Sequence, residues 1–418
     1  MDDEPSLMRP KVGLQPVILA VVAVIVYLGL PILGGEPPRP QGHFPKLARA
    51  FLHGELSVSF APGSVSPQGE LIPAGEPGRF YCPYPPLPAV LLMPFAWIGS
   101  GGLRVEVACR WVSTINVLLF YFCLSGLPRK LDRPPLSGLA RWALTVLFAF
   151  GMATWPSAAM GGDWHLAHAL ALGAMLLALL EFLGRNRPVV VGAFAAMAIL
   201  SRPTTALTCL FFVFPLLGRR HLKALRRLSI CPVIAILLLA LYNVARFGSP
   251  VDFGYSDMLL TGEGGRLMET YGQFHAAFVP RNLFWYFIAP PVVRPDHAFP
   301  WLGFDPRGLS LFIATPALIY CFVGAWRQWR RPIVRHAAFA IGLCLVPLLL
   351  YFNTGYWQFG HRFSMDYLPM LLVLVVSGMG PRPGRAVLAL IGVSVAVQAW
   401  GVLMDSVAGM PASWVPGV

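Results

Sequence analysis

The sequence predicts an all-α polytopic membrane protein, with about eleven or twelve membrane-crossing helices and a long first external loop. Three observations carry that expectation. Hydrophobic residues make up 56% of the 418-residue chain and charged residues only 12%, with a mean hydropathy of +0.64. A water-soluble domain could not cover so much apolar surface. The apolar residues come in long runs, and the lysines and arginines fall in short clusters between them. The net charge of +13 is therefore topology and attraction to anionic head groups, not a nucleic-acid surface, and no nucleic-acid-binding motif is present.

In chain order, the first run is about Pro16–Leu33. Arg9 and Lys11 precede it without a small-residue cleavage site, so it is expected to be an uncleaved first span. A loop rich in Pro and Gly follows over 34–85. Inside it, His43–His53 has apolar residues at 44, 47, 48, 51 and 52, a helical spacing suited to a helix lying on a membrane surface. Pro86–Gly99 is apolar but short for a span. Later runs begin near Val107, Trp142, Trp164, Val189, Thr204, Ser229, Leu309, Arg335, Asp366 and Ala386. The whole chain, 1–418, forms one transmembrane domain, with 247–306 a second large external loop.

The basic connectors are Arg129 to Arg133, Arg185 to Arg187, Arg219 to Arg227, Arg327 to Arg335 and Arg382 to Arg385. All share the cytoplasmic side with the N-terminus if Pro86–Gly99 does not cross. The same parity gathers the polar stretches outside: loop 34–85, Gly161 to His168, Ser201 to Thr204, the loop after Tyr242, and Tyr356 to Pro369. The seven cysteines give no disulfide framework, since all but Cys82 lie in or beside apolar runs.

Candidate chemistry sits in those outer stretches. Glu36 follows the first span directly, and a carboxylate at a bilayer edge can serve as a general base; Glu70 and Glu76 share its loop. His165 and His168 are three apart at the start of a span, on one helical face. No third ligand at motif spacing joins them, so a hydrogen bond to a phosphate or sugar suits them better than a metal. Arg202, Arg246 and Arg362 stand at outer span ends, against the topological bias, which points to an anionic ligand. Arg362 and Asp366, four apart, would share a helical face and pair, with His361 beside them. An aromatic belt with one structural ion pair would leave a similar pattern. No Walker loop, Gly-x-Ser-x-Gly or Asp-x-Asp is present.

These pieces together resemble the GT-C superfamily of integral membrane glycosyltransferases, the bacterial group akin to protein O-mannosyltransferases and aminoarabinose transferases. The matching residues are Glu36; Leu47 to Gly54; Gly78 to Pro88; Trp164 to His168; Ser201 to Thr204; Tyr242, Asn243 and Arg246 with the Phe-Gly-Ser-Pro after it; Phe253 to Tyr255; and Phe359 to Pro369. The resemblance implies inverting transfer of a sugar from a polyprenyl-phosphate donor to a glycan, lipid or protein acceptor, at the outer face of the cytoplasmic membrane. It also implies a first-loop carboxylate as base. Glu36 fits that position best, although the family usually has Asp there, and Glu70 and Glu76 stay open. His165, His168, Arg202, Tyr242, Asn243, Arg246, His361, Arg362 and Asp366 would line the substrate site. No cofactor is implied, and a divalent metal is left open. The alternative is a secondary transporter or flippase of a lipid-linked or anionic substrate. Transporters more often carry polar groups at mid-membrane in repeated halves.

Overall fold

The computed structural model describes residues 14–33, 42–60, 71–99, 104–258, 260, 262–293, 301–355 and 358–407. Helix α1 (Leu14–Leu33) buries Leu19, Ala23 and Tyr27, spaced four apart, and exposes Leu14, Val17, Val21 and Ile25 on its other side. Tyr27 Oη donates to the Ala149 carbonyl at 2.6 Å, which satisfies its polar tip inside the bundle.

The first loop holds α2 (His43–Leu52), strands β1 (Val58–Ser59), β2 (Ile72–Pro73) and β3 (Arg79–Tyr81), and α3 (Leu87–Ile98). The strands pair antiparallel in the order β1-β3-β2. The α2 helix forms as its spacing predicts, but it is not a free surface helix. Phe44, Leu47 and Ala48 are buried, and α2 packs on α3. Helix α3 has 12 residues, a rise of about 18 Å, well short of a bilayer crossing.

Helix α4 (Val105–Lys130) leads to α5 (Gly138–Phe150) and α6 (Thr154–Met160), a pair bent by 41°. The central element is α7 (Asp163–Leu183), packed against α4 on one side and α8 (Pro188–Ser201) on the other. A hairpin of α8 and α9 (Thr205–Val213) turns at Arg202–Thr204, and α10 (Leu222–Phe247) runs along α8 with an apolar outer face at Ile230, Ile234, Leu237 and Leu241. Gly192 permits that approach, because a Cβ there would stand 2.1 Å from the Leu228 carbonyl oxygen.

The 247–306 stretch is more structured than a loop. It carries α11 (Gly262–Tyr271), α12 (Phe278–Leu283), a π-turn at Phe284–Ile288, and the strand pair β4 (Val292–Val293) and β5 (Leu302–Gly303). The run expected to start near Leu309 is not one continuous helix. It is α13 (Leu311–Ala314), a 3-10 turn at Pro316–Ile319, and α14 (Tyr320–Gln328). Pro316 explains the break: it has no N–H and disfavours helical geometry at Thr315. Three helices follow: α15 (Pro332–Leu350), the short α16 (Leu368–Met379) and α17 (Arg385–Val407).

Among the described residues five helices are long and apolar enough to cross a membrane, namely α4, α7, α10 with the turn before it, α15 and α17, or six if bent α5–α6 is one span. The basic connectors meet at one end of the bundle. Arg331 pairs with Asp132 at 2.9 Å, Arg129 donates to the Leu183 carbonyl, Ser137 N donates to the Pro381 carbonyl at 3.0 Å, and Phe214 lies by His336. The polar stretches meet at the other end.

Candidate functional site

Three of those polar stretches converge on one carboxylate. Asp366 is buried at the end of a 3-10 turn, Arg362–Asp366, just before α16. Its Oδ1 lies 2.9 Å from His168 Nδ1, and Arg202 grips both oxygens, Nη2 to Oδ2 at 3.0 Å and Nε to Oδ1 at 3.3 Å. Thr204 Oγ1 also donates to Oδ2. Burial alone would raise the Asp366 pKa, but Arg202 and His168 outweigh it and hold the carboxyl well below the usual range. The carboxylate ties the α7 N-terminal turns, the tip of the α8–α9 hairpin and the α16 entry into one unit.

The expected pairing of Arg362 with Asp366 does not form among the described residues. The segment is a 3-10 turn, where i and i+3 eclipse, so residues four apart no longer share a face. Asp366 turns instead to partners far along the chain. Arg362 lies over the rings of Phe363 at 5.6 Å and Trp164 at 6.0 Å. Gln358 holds the turn: its Oε1 accepts from Arg362 N at 2.8 Å, and its Nε2 donates to the carbonyls of Thr354 and Arg307. Gly355 and Gly308, both at positive φ, leave room for that side chain.

His361 stacks on Tyr286, centroids 3.7 Å apart, and burial pushes its pKa down to about 3, so the ring is neutral. Tyr286 Oη and Asn282 Nδ2 both reach carbonyls at the end of α15, which positions the loop feeding the turn. Both ring nitrogens of His361, His168 Nε2 and the Tyr367 hydroxyl are buried without a hydrogen-bond partner among the described residues. Buried polar atoms are rarely left so, and a cluster of them is where a ligand's hydroxyls or water would be received.

The height of this centre follows from helix length. Helix α8 has 14 residues and α16 has 12, rises of about 21 Å and 18 Å from the basic end. His168 lies five residues after Asp163, about 7–8 Å below the first residue of α7. The centre is therefore recessed below the end of the bundle at which α7 begins.

A second cluster, around Arg246, is joined to the first by aromatic rings. Arg246 Nη1 donates to the Cys82 carbonyl at 2.6 Å, Nη2 to Asn243 Oδ1 at 3.1 Å, and the guanidinium stacks on Tyr242 at 3.6 Å. Asn243 Nδ2 donates to the Pro250 carbonyl at 3.3 Å. These contacts lock α10 to the Gly78–Pro88 stretch. Tyr84 then meets Trp164 at 4.6 Å, Trp164 meets Tyr255, and Tyr255 meets Tyr351 above the Asp366 centre.

Of the acids proposed as base, Glu36 and Glu70 lie outside the described residues, as do Tyr356 and Trp357. Glu76 is exposed, 3.9 Å from Arg79. His165 is buried one turn from His168. Two contributors escaped sequence reasoning. Thr204 was visible at the hairpin tip without an assigned role. Asp163, in the first turn of α7, accepts from His43 N and Phe44 N at 2.8 Å and so caps α2 from another element. The glycine pair before Asp163 could have flagged it: Gly161 and Gly162 both take positive φ, and a Cβ on Gly161 would meet Glu106 at 2.7 Å. Among the described residues no three His, Cys, Asp or Glu side chains gather as a metal site.

Compared with family models, with curated proteins and with solved structures, the chain finds no match.

Proposed function

We propose that this chain is a lipid-linked glycosyltransferase of the GT-C type. It would transfer a sugar from a polyprenyl-phosphate donor, at the outer face of the cytoplasmic membrane, with inversion and with a first-loop carboxylate as base. One observation carries the reading: segments 164–168, 201–204 and 359–369, which each hold part of the resemblance, meet in one buried, arginine-bearing centre recessed at the end of the bundle. A donor with a lipid tail and a phosphate near the bilayer edge suits that depth, and a guanidinium such as Arg362 can hold phosphate oxygens bidentately.

In this reading Arg202 is committed to Asp366 and acts as scaffold, while Arg362, over the Trp164 and Phe363 rings, is the principal phosphate ligand. The neutral His361 and the Nε2 of His168 offer hydrogen bonds to the sugar. Glu36 removes the acceptor's proton as it attacks the anomeric carbon, and polyprenyl phosphate leaves without needing strong acid assistance. The test is to incubate the purified protein with a panel of polyprenyl-phosphate sugars and an acceptor mixture, and to measure released polyprenyl phosphate. No release from any donor, with substrate instead crossing the bilayer of reconstituted vesicles, would replace this reading by the transporter.

A further inference from the structure

At the bundle end opposite Asp366, arginines gather around too little negative charge. A cavity of about 490 Å³ lies there, and Ser125, Arg129, Asp132 and Arg133 line it together with three prolines. Arg133 Nη1 is buried and has no hydrogen-bond partner among the described residues. Ser125 Oγ accepts from Arg141 Nη2 at 3.1 Å, and the Nε of that same Arg141 is also buried and unpartnered. After burial, it is Arg331 and Arg327 that hold the Arg133 guanidinium below its ordinary pKa, so these like charges stand close together.

Among the described residues the one carboxylate lining the cavity is already engaged, since Asp132 pairs with Arg331 at 2.9 Å. The loop is built to hold this arrangement. Asp132 sits at φ +53, and Arg133 N folds back to donate to the Pro128 carbonyl at 3.0 Å. Unpaired buried donors on cations are costly, and a bound anion would complete them. A second groove, of about 600 Å³, is lined by Phe322, Trp326, Trp329 and Arg327, the same Arg327 whose charge reaches Arg133.

We propose that the cavity lined by Arg129 and Arg133, with Arg141 behind Ser125, binds a phosphoryl head group, with an anionic phospholipid as the source because the neighbouring aromatic groove can take its apolar part. Basic pockets between spans are a known means of holding such head groups. The site is independent of the Asp366 centre and of the transfer reaction.

Native mass spectrometry of the full chain in detergent tests it, with phosphatidylglycerol or phosphatidylcholine added at equal concentration. The wild type should retain phosphatidylglycerol preferentially. Arg133→Gln combined with Arg141→Gln should cut that retention by roughly tenfold, as expected from losing charge-assisted bonds. Arg133→Lys should keep part of it, and Lys223→Gln, an exposed cation at the start of α10, should change nothing. Elution volume and unfolding temperature report whether each variant folds. Should the double variant fail to fold, the exposed Arg327→Gln gives the same reading at smaller amplitude. Displacement of the lipid by excess inorganic phosphate supports the site with phosphate as its ligand, and resistance to displacement supports the lipid. Equal retention of the two phospholipids by the wild type, or undiminished phosphatidylglycerol on the folded arginine variants, overturns the proposal.

Discussion

Asp366 is worth more as a hub than as a reactant, because three donors, one from α7 and two from the tip of the α8–α9 hairpin, end on its two oxygens. Asp366→Asn leaves Arg202 charged, buried and half-paired, and losing one partner of a buried pair costs about 3–5 kcal/mol. Arg202→Gln strands the carboxylate in the same way. The double variant should recover part of the loss, which unfolding measurements on all three proteins would reveal as non-additivity. Additive losses would mean that the two charges are not coupled. Arg362 makes a different case. Arg362→Lys keeps its charge but loses the planar fork, so donor affinity should fall while stability holds. Affinity unchanged in that variant would remove Arg362 from the phosphate. Glu36→Gln should lower turnover by about 10²–10⁴ with donor binding retained. Loss confined to Glu70→Gln or Glu76→Gln would move the base along the loop.

His361 adds a pH signature at the same scale. Its pKa falls from 6.5 unfolded to about 3 folded, so between those values the unfolded chain binds the extra proton. The stability it contributes is therefore complete above about pH 6.5 and drains away as pH drops towards 3. The slope is about 1.4 kcal/mol per pH unit for one such group. His361→Gln should flatten the stability curve between pH 6 and 4 by about that slope. An unchanged curve would show that the imidazole is not buried neutral.

At the scale of elements, helix existence was largely legible, because apolar runs and basic punctuation are strong signals in this chain. The starts of α4, α7, α8, α9, α15 and α17 fall within three residues of the runs that foretold them. What could not be read was local geometry inside polar segments. A four-residue spacing suggested the Arg362–Asp366 pair, yet the 3-10 turn and a partner 164 positions away decided the outcome. Likewise Asp163 caps a helix 120 residues earlier, a contact no local pattern encodes. Helix contacts also rest on single glycines. Gly192→Val should force α8 from α10, since even one carbon there meets backbone. The hairpin tip carrying Arg202 would shift with it, and both folded yield and donor binding should fall. A well-folded variant with unaltered binding would separate the hairpin's packing from the site.

For the whole molecule, the segregation of basic connectors from polar site segments is the feature that sequence parity anticipated best. It supports an orientation in which the Arg129–Arg133 end faces the cytoplasm and the Asp366 end faces outside. Cysteine labelling can decide this, and the chain suits it. Six of its seven cysteines are buried and Cys231 is half-buried, so a membrane-impermeant maleimide should find little background. A cysteine at position 258 belongs to the segment between α10 and α11, beside the Tyr255 that stacks on Trp164. One at position 223 belongs to the start of α10, at the basic end. In intact cells the first should react and the second should react only after permeabilisation. The reverse pattern would place Asp366, His168 and Arg362 on the cytoplasmic side. A transferase drawing on an outward-facing lipid-linked sugar would then be untenable, and the Arg129–Arg133 cavity would face the outer leaflet.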